Sequence, residues 1–236
     1  AVKMWNETVV LVGREDEIRA AAKEAGYDEL PAGIEIVDAP DVVDMHDDPA
    51  NVCRKKKDSS MVVGLRMLSE GQADAFVSAG STGALLSGAT LIVKRVKGVR
   101  RAAMGPAMPN KAGGKTVILD CGANAECTPE FLLQFGMVAS AYSKYTLGVE
   151  NPRVGLVNIG VEETKGTPLQ LEAYEQMQKA PFNFIGNIEA REIPYGGCDV
   201  AVTDGFTGNV VLKLTEGLGS YLGKQVKGMF TSGPLA

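Results

Sequence analysis

Val77-Ser-Ala-Gly80-Ser-Thr82-Gly-Ala-Leu-Leu-Ser-Gly-Ala89 passes from an apolar start through two glycines that enclose Ser81 and Thr82, then into small and apolar residues. With Ala75 to Ser78 as a strand and the residues after Gly83 as a helix, this is a strand, a glycine turn and a helix start, the repeating unit of an α/β fold. Outward from it the same pattern recurs. Strands are expected at Thr8 to Val12, Ile34 to Asp38, Thr116 to Asp120, Val154 to Asn158, Asn183 to Gly186 and Val200 to Thr203, with longer helix-period segments between them. Pro49 behind Asp47 and Asp48, Pro129 behind Thr128 and Pro168 behind Thr167 each read as a first helical residue after an N-capping side chain. Gly26, Gly71 and Gly148 stand where helices should stop. No repeat or linker interrupts the series, so a single α/β domain over residues 1–236 is the expectation.

The loops after the strands are polar and rich in glycine: SAGSTG after Val77, DCGANAEC after Leu119, NIGVEETKG after Val157, GNIEAR after Ile185 and TDGFTGN after Val202. In a parallel sheet all of them leave the carboxyl edge, where such folds bind ligands. Nucleotide fingerprints are missing. There is no GxGxxG, and Gly160 to Thr167 lacks the Lys-Ser/Thr order of a phosphate-binding Walker loop. A glycine turn at a helix start still presents backbone N–H groups to an anion, and Ser81 and Thr82 add hydroxyls; the bland alternative is a tight turn capped by those hydroxyls with no ligand.

Bulk properties narrow the rest. The chain has 236 residues, 45% hydrophobic and 22% charged, with a formal net charge of -5, which argues against general nucleic-acid binding. It opens on Ala1 and stops shortly after Gly233-Pro234, as a fragment of a longer protein does. The longest nearly apolar run, Gly83 to Val93, is short of the ~20 residues of a membrane span. The cysteines, Cys53, Cys121, Cys127 and Cys198, form no CxxC, so reduced thiols without zinc or a disulfide framework are expected. Ser78 sits in no nucleophile elbow and His46 is the single histidine, so a serine or cysteine with a histidine base is a poor fit. Asp44-Met-His46-Asp-Asp48 offers metal-type ligands, but an acidic capping turn explains the same residues, so no metal and no cofactor are expected. A chain without its own nucleophile suits a substrate that brings one, and a phosphate oxyanion needs positioning more than deprotonation.

The ordered series SAGSTGAL, DCGAN, ENPRVGLVNIG with EETKG, NFIGNIEAR and VTDGFTGNVVLK resembles the PlsX family of phosphate acyltransferases, from about Thr8 to about Lys227, with RKKKDSSM and RRAAMGPAMP in keeping. The resemblance implies a Rossmann-like three-layer α/β/α sandwich with a mostly parallel sheet, like the phosphotransacetylases and isopropylmalate dehydrogenases. It implies transfer of a long-chain acyl group from acyl carrier protein to inorganic phosphate, in a cytoplasmic homodimer associated peripherally with the membrane. The family usually has Asn at the place of Ser81, and its N-terminal DAMGGDHAP and C-terminal His-Gly-Ser-Ser segments are not in this sequence.

On that reading the phosphate or acyl phosphate lies near Ser78, Gly80, Ser81, Thr82 and Gly83, with Asn124 as a further donor and Asn187, Asp204, Thr207 and Asn209 completing the rim. Lys165 is the lysine inside a strand-end loop and the candidate for oxyanion charge compensation, so Lys165, Asn124 and Thr82 are the expected catalytic set. Capping is the alternative for Asn124 and Asn209. Acyl carrier proteins are acidic as a class, so docking calls for a basic patch: Arg54, Lys55, Lys56 and Lys57, or Lys94 and Arg95 with Lys97, Arg100 and Arg101; either also reads as a solvated face. Leu214, Leu218, Tyr221, Leu222, Val226, Met229 and Phe230 form one helical stripe in the segment 212–236, read as core, dimer seam or membrane-surface contact. Rival functions are a short-chain phosphate acetyl- or butyryltransferase using coenzyme A, and a non-catalytic acyl- or phosphate-binding regulator.

Overall fold

A computed structural model describes residue 2 and residues 6–231. The chain divides into two compact units, Ala1–Lys97 and Gly98–Ala236, where the sequence suggests one.

The first unit pairs β1 (Val9–Gly13) in parallel with β2 (Ile34–Asp38), joined by α1 (Glu15–Glu24). A one-turn α2 (Val52–Lys55), α3 (Ser60–Ser69) and α4 (Thr82–Gly88), which runs on into a π-helical turn (Ala89–Val93), follow. Val52, Met61, Leu65 and Ala84 form the core here, with Phe76 packed against it. Two expectations fail. Ala75 to Ser78 keeps a strand's alternation, Phe76 inward and Val77 93% exposed, but no ladder bonds join it among the described residues, so it is extended chain and not a strand. Pro49 does not begin a helix. Asp48 accepts from Ala50 N at 3.0 Å and from Asn51 Nδ2, closing a side-chain turn that delays the helix to Val52.

The second unit contains β3 (Ala107–Pro109), β4 (Lys115–Leu119), α5 (Pro129–Leu147), β5 (Arg153–Asn158), α6 (Pro168–Met177), β6 (Asn183–Glu189), a 3-10 helix (Ala190–Tyr195), β7 (Val200–Val202) and α7 (Gly205–Thr231). Its sheet has the order β3-β4-β7-β5-β6, parallel except for β3. Alternation along the strands builds two faces. Val117, Leu119, Val154, Leu156, Val200 and Val202 pack on α5 and α6, while Ile118, Val157 and Ala201 pack with Ile193 and with Val211 and Leu212 of α7. The second unit is thus a three-layer α/β/α arrangement. The helix signals hold: Thr128 Oγ1 accepts from Phe131 N at 3.4 Å, Thr167 and Gln170 form a capping box, and Gly148 ends α5 in the left-handed region at φ 74°. β6 does not stop at Gly186. Val154 pairs with Phe184 and Leu156 with Asn187, so β6 carries one extra residue, and the bulge uses the positive φ of Gly186, 91°.

At the edge opposite the strand-end loops, Arg153 and Asp199 fix the beginnings of β5 and β7. Asp199 accepts from Arg153 N at 2.8 Å and from its guanidinium at 3.0 and 3.1 Å, and Arg153 also donates to Gly196 O and Gly197 O. Burial pushes the Asp199 carboxyl up, but the Arg153 hydrogen bonds outweigh it and hold it below the ordinary value of 3.8. A lowered carboxyl stabilises the fold above its unfolded pKa and loses that contribution as pH falls through the folded one. Asp199→Asn is therefore expected to cost about 1 kcal/mol at pH 7, a modest value because Arg153 is half exposed, and the difference from the parent should shrink below the ordinary Asp value of 3.8. Urea unfolding at stepped pH reads this; a gap that persists undiminished in acid contradicts it.

Candidate active site

β4, β7, β5 and β6 release their loops at one carboxyl edge of the second unit. The organiser of that edge is a residue the sequence reading passed over. Asp120 is fully buried, and its carboxylate accepts four hydrogen bonds: Met104 N at 2.9 Å and Ala123 N at 3.3 Å on Oδ1, Asn124 N at 2.6 Å and Asn124 Nδ2 at 2.9 Å on Oδ2. Asn124 Nδ2 also donates to Ala102 O at 2.9 Å. Both amide hydrogens of Asn124 are thereby engaged, so its side chain ties the turn after β4 to the segment before β3, and its role as an anion donor finds no support in this geometry. Its placement in DCGAN, directly after a strand, was the signal; the four-donor demand of a buried carboxylate at Asp120 was legible only in three dimensions.

α7 starts hard against this turn. Gly205 N donates to Asn124 O at 2.8 Å, and a Cβ on Gly205 would lie 2.5 Å from that same oxygen. A Cβ on Gly208 would lie 1.9 Å from Asp120 O. The glycines of TDGFTGN therefore serve a close helix-to-turn approach. Asp204 and Thr207 cap the same helix: Thr207 N and Oγ1 each donate to the Asp204 carboxylate at 2.8 Å. Asn209 is exposed beside Gly122.

The loop after β5 carries Lys165, whose side chain is exposed. Two asparagines grip its backbone: Asn158 Nδ2 donates to Lys165 O at 3.0 Å, and Asn187 Nδ2 donates to Glu162 O at 2.8 Å. Asn187 is 6% exposed and lies within β6 rather than in a loop; its Oδ1 is buried without a partner among the described residues. Asn158 was missed, because an asparagine ending a strand reads as an ordinary turn residue.

In the first unit Ser78 Oγ accepts from Gly80 N at 3.1 Å, and Ser81, 7% exposed, accepts from Ala84 N at 3.4 Å as the cap of α4. A Cβ on Gly83 would meet Pro49 Cγ at 3.0 Å, so that glycine admits a packed neighbour. Thr82 and Gly83 are exposed at the start of α4. Among the basic residues, Arg54, Lys55, Lys57, Lys94 and Arg95 are exposed, whereas Lys56 Nζ donates to Asp47 Oδ2 at 2.5 Å and to Val42 O at 2.7 Å. Lys56 is a strut of its loop. Its hydrogen bond holds the Asp47 carboxyl below the ordinary range, and no cluster of metal-type ligands occurs around His46 or elsewhere among the described residues.

The thiols beside the Asp120 turn are poor nucleophiles. Burial pushes Cys121 up to about 12 and Cys127 up to about 11, far from thiolate at neutral pH.

A family model described as "Fatty acid synthesis protein" matches residues 2–236. A phosphate acyltransferase of Desulfitobacterium hafniense (strain DSM 10664 / DCB-2) is 48% identical over 236 residues, covering 100% of this chain and 70% of the relative. One from Alkaliphilus oremlandii is 48% identical over 230 residues, 98% of this chain and 68% of the relative. The chain belongs to the phosphate acyltransferase family. It is an acyl-transferring enzyme by that membership. Its fold is shared with a EutD phosphotransacetylase from Staphylococcus aureus, TM-score 0.63 at 21% identity over 89% of this chain and 74% of that one, and with a phosphotransacetylase from Streptococcus pyogenes, TM-score 0.64 at 19% identity over 89% and 73%. For this family member the α/β expectation and the resemblance both stand.

The Asp120 turn sets the first prediction for the site. Gly208→Ala is expected to destabilise the chain by about 3 kcal/mol, the upper end for overpacking, and to lower the melting midpoint by roughly 6–12 °C. Calorimetry showing an unchanged midpoint would remove the tight approach of α7 to Asp120.

Proposed function

We propose that this chain moves a long-chain acyl group from the thioester of acyl carrier protein to inorganic phosphate. A phosphate oxygen attacks the thioester carbonyl carbon, the carbon–sulfur bond breaks, and the carrier sulfur takes up a proton as free thiol, leaving acyl phosphate. The observation that carries the reading is the exposed Lys165, held on a loop pinned by Asn158 and Asn187 at the carboxyl edge of a parallel sheet, in a chain whose relatives over its whole length are named phosphate acyltransferases. An ammonium carried by that pinned loop neutralises the charge on the phosphate and on the tetrahedral oxyanion. The buried, protonated thiols support direct attack by phosphate over a covalent enzyme intermediate. Thr82 and Gly83, exposed at the start of α4 in the first unit, are proposed by themselves as phosphate-binding residues.

Arg54, Lys55 and Lys57 are proposed to attract the acidic carrier, with Lys94 and Arg95 as a further basic set. α7 is proposed as the seam of a homodimer and as a peripheral membrane contact. Leu214, Leu218, Tyr221, Leu222 and Val226 are each more than half exposed in this chain, which supports a seam or surface role for the stripe. Residues 232–236 of the expected segment lie outside the described residues. No helix among the described residues is long and apolar enough to cross a membrane.

Lys165→Ala and Thr82→Val are each expected to lower acyl phosphate formation, trapped with hydroxylamine, by about 10-fold or more. In the same assay, salt should raise the Michaelis constant for the carrier. Unchanged turnover in both variants removes the phosphate assignment, and salt-independence removes the steering residues. Leu218→Ser combined with Leu222→Ser should shift sedimentation toward monomer and weaken flotation with anionic vesicles; a dimer that floats like the parent rules α7 out of both roles.

A further inference from the structure

The second unit holds an apolar cleft of about 190 Å³ beside the Asp120 turn, and we propose that it seats the acyl chain of the donor. The inference rests on the acyl-transfer reading above and adds where the chain lies. Three elements build the cleft: Ala103 and Gly105 from the segment before β3, Val117 and Leu119 from β4, and Val138 and Tyr142 from α5. No charged side chain lines it. Its emptiness has a local cause in small residues. A side chain at Gly105 would begin 2.4 Å from Leu119 Cδ1, so glycine there keeps the strand's leucine in place and the space beside it open.

The cleft is continuous with the proposed reaction edge through covalent and hydrogen-bonded neighbours. Leu119 directly precedes Asp120. Ala103 is flanked by Ala102, whose carbonyl accepts from Asn124 Nδ2, and by Met104, whose N–H donates to Asp120 Oδ1 and whose carbonyl accepts from Cys121 N at 2.9 Å. The apolar lining of the cleft therefore adjoins, residue by residue, the polar turn at the carboxyl edge. A thioester is built the same way, with a polar reacting end and an apolar tail. Val138 and Tyr142 leave 43% and 42% of their surface exposed, and covering such apolar surface with methylenes is favourable. The volume is below the roughly 300–1,000 Å³ of a drug-sized ligand site. It therefore takes part of a chain, next to the thioester, and the rest of a long chain extends past Tyr142.

Ala103→Leu and Val138→Trp fill the cleft from two different elements. Each is expected to lower kcat/KM for a hexadecanoyl-carrier donor by about 10-fold or more while leaving an acetyl donor, which has no methylene tail to seat, within about 2-fold of the parent. Equal falls for both donors, or no fall for either, overturn the assignment. Equal falls accompanied by a shift in sedimentation would assign the cleft to a second copy of the chain, and overturn it as well. If the parent makes no acyl phosphate from any donor, the acyl-transfer reading itself fails; a parent active on both donors with variants that do not discriminate them fails the cleft alone.

Discussion

A single buried carboxylate, Asp120, decides how the carboxyl edge of the second unit is assembled. Four N–H groups converge on it, from Met104, Ala123 and twice from Asn124. Desolvating a carboxylate is expensive, and a set of donors of this kind offsets the cost only if every donor is fixed in place. The constraint spreads from there. The segment before β3 must run along β4, the turn after β4 must curl back on itself, and α7 must begin with glycines at 205 and 208 because the turn's backbone occupies the space a side chain would need. Removing the carboxylate leaves several peptide groups without partners at once.

The strand-end loops illustrate what a polar sequence signal does and does not say. Asn124, Asp204 and Thr207 were singled out as polar residues at the right edge, and they are at that edge, yet their hydrogen-bonding groups are turned onto the protein's own backbone or onto each other. A glycine-rich polar loop demands internal partners before it can offer any to a ligand, because its peptide groups are not in a ladder. Asn158 and Asn187 satisfy the Lys165 loop in the same way, and the result is a pinned loop with an exposed lysine upon it. The sequence pattern locates the edge; which polar atom faces outward depends on pairings over 20 or more residues, such as Asn187 with Glu162.

The fold was more legible than the site. Short β-branched apolar runs placed β1, β2, β4, β5 and β7 to within a residue or so, and in β4, β5 and β7 the two buried faces of the parallel sheet require those side chains. Thr128-Pro129 and Thr167-Pro168 marked helix starts because a cap and a proline act locally. Asp48-Pro49 looked identical and failed: Asp48 uses its oxygens on Ala50 and Asn51, and a turn forms instead. Ala75 to Ser78 failed for the opposite reason. Its alternation is correct, but a strand is a relation to a neighbour, and composition cannot supply the neighbour.

The chemistry follows from what the edge lacks and what it holds. Thiols pushed up to about 11 and 12 by burial are poor nucleophiles at neutral pH, whereas a phosphate oxyanion is already a nucleophile and needs only a countercharge and alignment. On the proposed reading, Lys165 on its pinned loop supplies the first, and the apolar cleft beside the Asp120 turn contributes to the second by holding the tail of the molecule whose carbonyl is attacked. Binding energy from the hydrocarbon tail is then spent on orienting the reacting end, which is why such a cleft bears on rate and not only on affinity. The same carboxylate that fastens the turn after β4 also holds Met104, the residue next to the proposed cleft's Ala103.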